Sequence, residues 1–542
     1  MRTTTSGRRH AALVAMLALL ATLVVGTPAH AATGTPVTGD DAMYPRVVRL
    51  AHSGVANGRL IASMTQFPAG GPVAGIHEST DGGATFHRVG AVADPAARSG
   101  LCCSTIFELP RQVGSLAEGT LLWAGSVGQD GGSGRRMSIP VWRSTDVGRT
   151  WTYLSTIVRA SGSGGLWEPE LSLDAGGRLV AFWADETVAG RSQVLQRAVT
   201  SDGYGWSAPS LTVAGPRGSD RPGMPAVEQL GDGSYLLAYE VCGQGAGPAD
   251  CAVHTRRSSD GWSWGDPADL GPVLRTADGR YGVATPTLAV AGSRLLISTQ
   301  QVRNPDGSNA PGNGGLLFLA TSPDGPWTTI AAPVQVPGVA PGPCPNYSSS
   351  LAVLADGVTA VEVATDLVGG ACRAFTASTR LPAEPAGQLR DGARVSLRVT
   401  TPGFTDRYLR HRDSLAITSV VSASSPALDR TDGTFVVRRG LADASCWSFE
   451  ASNFPGQYLR HRAYRLRIDA LDGSALGRSD ATFCAQDVAG GVRLRSSNYP
   501  DRYVRHFDSE VWIANRSNDV PYDRPETFDA DTTWSITVPL AP

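Results

Sequence analysis

Short apolar and alternating runs recur between Gly-, Asp-, Ser- and Pro-rich breaks along the chain, as in RLVAFWADE from Arg178, SYLLAYEV from Ser234 and RLLISTQQV from Arg294. Their length, their β-branched and aromatic content and the turn residues that bound them predict strands, and long runs of helical period are scarce. The chain therefore reads as all-β. One segment departs from this pattern. An Arg-bearing start (Arg2, Arg8, Arg9), an apolar run from Ala11 to Val25 and the small-residue exit Ala29-His30-Ala31 give residues 1–31 the form of a cleaved secretory signal. That run is shorter and earlier than a membrane anchor requires. The mature protein is expected to be secreted and extracellular, with Sec and twin-arginine export both open.

Two repeat periods divide the remainder. In the first region, Ser79-Thr-Asp81-Gly-Gly83-Ala-Thr85-Phe86 and Ser144-Thr-Asp146-Val-Gly148-Arg-Thr150-Trp151 share the pattern S-x-D-x-G-x-T-aromatic, with degenerate copies around Asp202, Asp260 and Asp324. Asp caps such a turn, Gly takes its positive φ and the aromatic packs beneath it, so these residues are structural. A spacing of roughly 60 residues is one four-stranded sheet, and residues 33–382 hold about six, which predicts a six-bladed β-propeller with five blades as the runner-up. The Pro/Ala/Gly-rich stretch 383–392 reads as a linker. Beyond it, over residues 393–542, YLRH, YLRH and YVRH recur at roughly 50-residue steps, each followed by an Asp-small-Thr-aromatic turn, which predicts a pseudo-threefold β-trefoil.

Composition acts mainly by exclusion. Net charge is -2 and no basic block occurs, so neither nucleic acid nor an anionic membrane is an expected partner. A neutral ligand fits better, and the chain is read as a monomer. Eight cysteines in an exported chain imply disulfides. Proximity pairs Cys242 with Cys251, Cys344 with Cys372 and Cys446 with Cys484, leaving Cys102 and Cys103 as a possible vicinal pair. No spacing has the form of a metal site, and no cofactor is expected.

Neutral sugars are bound by hydrogen-bonding side chains beside an aromatic wall. Each trefoil repeat offers a His and an Asp: His411 with Asp432, His461 with Asp480, and His506 with Asp531. The propeller supplies acids at strand ends: Glu108, Glu168, Glu170, Glu228 and Glu240. Cleaving a glycosidic bond needs two such carboxyls. Glu168, between Trp167 and Pro169, has the apolar setting of a proton donor, and Trp167 is a candidate substrate wall. Glu240 ends an apolar strand beside Tyr239 and the expected Cys242–Cys251 loop, which suits a rigid nucleophile.

The segments GLADASCWSFEASNFPGQYLRH, ATFC and SSNYPDRYVRH closely resemble the arabinofuranose-binding module of α-L-arabinofuranosidase B, carbohydrate-binding module family 42, over residues 393–536. The resemblance implies arabinofuranosyl binding at the His and Asp positions named above, and Cys446 with Cys484 match the family's internal disulfide. The third repeat departs from the family by its DTTW turn and by an insertion around Asn518 to Glu526. YPRVVRL, LCCSTIFELP, GTLLWAG, LWEPEL, RPGMPAVEQL, LLAYEVC and CPNYSSS resemble glycoside hydrolase family 93, exo-1,5-α-L-arabinanases on sialidase-like propellers. This second resemblance implies a retaining mechanism with Glu168 as acid/base and Glu240 as nucleophile, acting on arabinan or an arabinose-decorated plant polysaccharide. The wider sialidase pattern adds Arg46, to bind hydroxyls, orient a glutamate or serve the fold alone, and Tyr347, to hydrogen-bond Glu240 or wall the pocket. A sialidase and a non-catalytic lectin are the competing readings.

Overall fold

The computed structural model describes residues 32–541 except 231–232, 246–249, 292–293, 383–388, 423–424 and 489, so the expected signal segment and much of the expected linker lie outside the described residues. Six antiparallel sheets follow one another along the first region. Their innermost strands are Ala42–Arg49, Leu101–Glu108, Leu166–Leu173, Arg221–Gln229, Thr287–Ala291 and Ser350–Val353, numbered here as blades one to six. Each inner strand touches the inner strand of both neighbouring blades, which closes a ring and makes a six-bladed propeller. Closure is shared between the two ends of the region: Thr35–Pro36 pairs with Ala371–Arg380 as the outermost strand of blade six.

Because blades stack face against face, their second strands are covered on both sides. Leu121–Val127 and Leu179–Asp185 are buried at every residue, which explains their nearly unbroken apolar runs. An apolar cluster lies between each pair of adjacent blades. Trp183 of blade three, for example, packs among Leu122 and Val141 of blade two.

The Asp turns join third and fourth strands. Ser79 Oγ donates to Asp81 Oδ1 at 2.8 Å and accepts the Gly83 N–H at 2.8 Å, while Asp81 also accepts the Thr85 N–H at 3.0 Å and its hydroxyl at 2.6 Å. Asp146 repeats these bonds with Ser144 and Thr150. Third strands run parallel to first strands within each blade, so these turns lie on the face where inner strands end.

The second region holds twelve strands, four per repeat, beginning at Arg394–Val399, Trp447–Ala451 and Gly491–Ser496. The last strand, Thr533–Thr537, pairs back to the first and closes the barrel. Leu409, Leu459 and Val504 of the YxRH strands meet Phe435, Phe483 and Trp534 in one core, so the repeated apolar letters are core positions. Asp432, Asp480 and Asp531 each end a short helix, Ala427–Asp432, Ala475–Asp480 and Phe528–Asp531, from which the expected turn leads into the next strand. The four disulfides pair as proximity indicated, including Cys102 with Cys103.

Replacing Asp146 by Ala removes its side-chain bonds to the turn and is expected to lower stability by about 1–2 kcal/mol while leaving turnover unchanged. Thermal unfolding read beside an activity assay checks this, and an unchanged midpoint would contradict the structural role.

Candidate active site

Four of the six inner strands break their alternation where they enter the ring. Tyr44, Cys103, Glu168 and Met224 have φ of 54°, 42°, 52° and 55°, each at a register shift against the second strand of its blade. Thr285 (φ 46°) and Ser348 (φ 58°) take the corresponding places just before the fifth and sixth inner strands. A bulge frees backbone amides from the ladder and turns side chains toward the axis. Two freed amides hold carboxylates: Met224 N–H donates to Glu168 Oε2 at 3.0 Å, and Thr285 N–H to Glu240 Oε2 at 2.7 Å.

Glu240 stands on the second strand of blade four opposite Gly223. A Cβ on Gly223 would lie 3.5 Å from Glu168 Oε2 and 3.6 Å from Glu240 Oε1, so the two carboxyl groups face each other with oxygens no more than about 7 Å apart. Burial, then the neighbouring Glu240 charge, pushes Glu168 up to about 8, against the pull of the Met224 amide. Burial also pushes Glu240 up to about 7, while the Thr285 amide and Arg221 pull it down. The pair is thus graded, with Glu168 holding its proton longer.

At the rim, Arg221 donates to Glu186 Oε1 and to Gln193 Oε1, both at 2.7 Å. Glu186 also accepts the Gly165 N–H at 2.8 Å and an Arg135 N–H at 3.3 Å. The Arg135 guanidinium lies 5.5 Å from the ring of half-buried Trp167, which also packs beside Tyr44, Cys103 and Met224. Trp167 therefore borders the site, together with the vicinal disulfide.

Other expected residues take different places. Arg46 is buried behind Tyr44, its guanidinium 4.4 Å from the ring, and donates to the Tyr44 hydroxyl at 3.0 Å and to Ser348 Oγ at 2.7 Å. It braces the site wall. Tyr347 makes no hydrogen bond to Glu240. Its ring tilts against Tyr44 at 6.2 Å, and burial together with the Glu168 and Glu240 charges raises its hydroxyl pKa. The Thr285 amide takes the role expected of Tyr347. Glu108 accepts the Ala51 and His52 amides and the Ser53 hydroxyl at the far end of its strand, a loop anchor. Glu170 and Glu228 line a separate axial cavity of about 310 Å³, with Arg46 and Thr105.

The trefoil brings each expected His and Asp together, with a third partner from another repeat. His411 Nε2 lies 3.4 Å from Asp432 Oδ1 and 3.0 Å from Asn453 Oδ1, and the Asn453 amide donates to Asp432 at 2.8 Å. His461, Asp480 and Asn498 repeat this at 3.3, 3.0 and 2.7 Å. In the third set Thr401 stands in the place of Asn, 2.8 Å from His506 Nε2 and donating to Asp531 Oδ1 at 2.9 Å. Thr527, just after the insertion, and Arg505 fill Asp531 Oδ2 at 2.6 and 2.9 Å. Exposed Phe454, Tyr499 and Phe404 stand edge-on to His411, His461 and His506. The third set borders a cavity of about 390 Å³. The aromatic and Asn positions were not singled out from sequence, although SNFP and SNYP recur a fixed distance before two of the YxRH strands.

A family model described as the Alpha-L-arabinofuranosidase B (ABFB) domain matches residues 397–536. Residues 397–536 are thus similar to that domain. An alpha-L-arabinofuranosidase B of Emericella nidulans is 38% identical over 188 residues, 33% of this chain and 36% of that protein. A probable alpha-L-arabinofuranosidase B of Aspergillus clavatus is 32% identical over 250 residues, 46% of each chain. The chain thus spans less than half the length of these relatives. The propeller is similar to the Penicillium chrysogenum alpha-L-arabinanase solved with arabinobiose, at 25% identity and a TM-score of 0.52 over 64% of this chain and 98% of that one. A Fusarium graminearum GH93 alpha-L-arabinofuranosidase solved with arabinobiose shares the fold, at 21% identity and a TM-score of 0.53 over 65% of this chain and 98% of that one.

Beside the graded pair, burial raises Glu170 to about 7 and Glu228 and Glu362 to about 8. Each carboxyl keeps its proton to higher pH in the folded state than in the unfolded chain, where the value is 4.5. The stability they contribute is full below that value and is lost as pH rises through about 7 to 8. The thermal midpoint is expected to fall between pH 5 and pH 8, and Glu228→Gln to flatten that fall; parallel profiles for the variant and the parent would contradict this.

Proposed function

We propose that the protein is a secreted, retaining exo-1,5-α-L-arabinanase that releases arabinobiose from the non-reducing end of arabinan and is held on its substrate by the ABFB domain. The observation that carries this reading is the Glu168–Glu240 pair, set across Gly223 on adjacent blades with one oxygen of each pinned by a backbone amide. Pinning one oxygen leaves the other free to react without rotation of the carboxyl.

Glu168, the more readily protonated partner, donates its proton to the glycosidic oxygen as the bond to the anomeric carbon breaks. Glu240 attacks that carbon and forms a glycosyl ester. Water then adds to the anomeric carbon, giving one of its protons to Glu168 as the ester bond to Glu240 breaks, which restores both carboxyls and retains configuration. The alternative sialidase reading calls for arginines free to bind a carboxylate, and Arg46 is committed to Tyr44 and Ser348.

Linear 1,5-arabinan is expected to yield arabinobiose as the main early product; a ladder of longer oligosaccharides would refute exo action. Glu240→Ala is expected to lower kcat by at least about 1,000-fold while leaving binding to insoluble arabinan intact. His411→Ala or His461→Ala is expected to do the reverse, weakening retention on the polysaccharide while sparing turnover of a small aryl arabinofuranoside. Affinity electrophoresis and initial rates separate these outcomes.

A further inference from the structure

Gln193, just before strand Val194–Thr200 of blade three, is 6% exposed and reaches the gap between the paired carboxyls. Two partners fix the orientation of its amide. Arg221, a donor only, gives an N–H to Oε1 at 2.7 Å, and Nε2 donates to the Pro222 carbonyl at 3.0 Å. Arg221 is itself held by Ser192 Oγ at 2.9 Å and Glu186 Oε1 at 2.7 Å. One Nε2 proton is therefore used, and the second has no acceptor among the described residues.

Where does that proton point? A Cβ on Gly223 would lie 2.8 Å from Gln193 Nε2, 3.5 Å from Glu168 Oε2 and 3.6 Å from Glu240 Oε1. One donor and two carboxyl oxygens from separate strands therefore lie on the same side of Gly223, with Gln193 Nε2 no more than about 6.4 Å from either oxygen. An oxygen bound between them could accept from Gln193 and donate to a carboxylate at once. A sugar hydroxyl has that dual capacity.

We propose that Gln193 is a substrate-contacting residue of the active site, donating its second amide proton to the hydroxyl adjacent to the anomeric carbon of the arabinofuranosyl unit, with Arg221 and Glu186 as the positioning residues that hold it there. This assignment rests on the glycosidase reading. A bond to that hydroxyl strengthens as positive charge develops on the sugar ring, so its loss falls chiefly on kcat.

The test compares the full-length protein with Gln193→Met, which keeps length and removes the donor, and Gln193→Asn, which withdraws the amide by one methylene. On an aryl α-L-arabinofuranoside both variants are expected to lose about 10- to 100-fold in kcat/KM, mainly through kcat, with little change in melting temperature. On the 2-deoxy analogue of that substrate the gap between wild type and variants is expected to close to within about 2-fold, because the partner hydroxyl is gone. Variants that match wild type on the hydroxylated substrate, or whose deficit persists undiminished on the deoxy analogue, overturn this assignment alone. A wild-type protein inactive on every arabinofuranoside overturns it together with the glycosidase reading.

Discussion

The propeller's chemistry depends on a backbone departure repeated around its ring. A regular antiparallel ladder uses its amides in strand pairing and leaves none for a ligand or a side chain. The extra residue at the start of the inner strands breaks that economy, at a cost of roughly 1–2 kcal/mol for each non-glycine residue placed at positive φ. What these departures return is a pair of amides, of Met224 and Thr285, that grip Glu168 and Glu240. The apolar clusters between blades hold the strained segments in place, because no inner strand can relax without disturbing both neighbours.

Within that ring, burial raises several carboxyls alike, and their different neighbours divide their roles. Glu168 faces the charge of Glu240, whereas Glu240 receives the shorter amide bond; Arg221 pulls both down. Glu170 and Glu228 line the axial cavity with Arg46, whose charge restrains Glu170, while the Glu170 charge adds to the burial that raises Glu228. The rim cluster of Glu186, Arg221 and Gln193 carries this grading outward and fixes an amide beside the paired carboxyls.

The trefoil solves a different problem, the building of a small polar pocket on a closed apolar barrel. Each candidate pocket lies at a seam, with His and Asp from one repeat and Asn or Thr from another. Burial holds His461 and His506 below the ordinary imidazole range, so both stay neutral and can pair with uncharged hydroxyls. The third pocket is chemically distinct. Asp531 is bonded by Thr401, Thr527 and Arg505 and offers fewer open acceptor sites than Asp432 or Asp480.

Periodicity alone determined much of this protein. Turn residues at fixed intervals marked out the blades, repeated YxRH strands marked out the trefoil, and strand-end acids narrowed the candidate pair to a few glutamates. These are local properties, written in side-chain pattern and turn chemistry over ten or so residues. The tertiary structure decided which groups meet. That Thr285, not Tyr347, holds Glu240, that Arg46 braces a wall, that Gln193 reaches the gap and that Asn453 completes a pocket for His411 all depend on contacts between distant strands. Such contacts follow from ring closure and from bulges that redirect the chain by one residue, and sequence spacing carries no record of either.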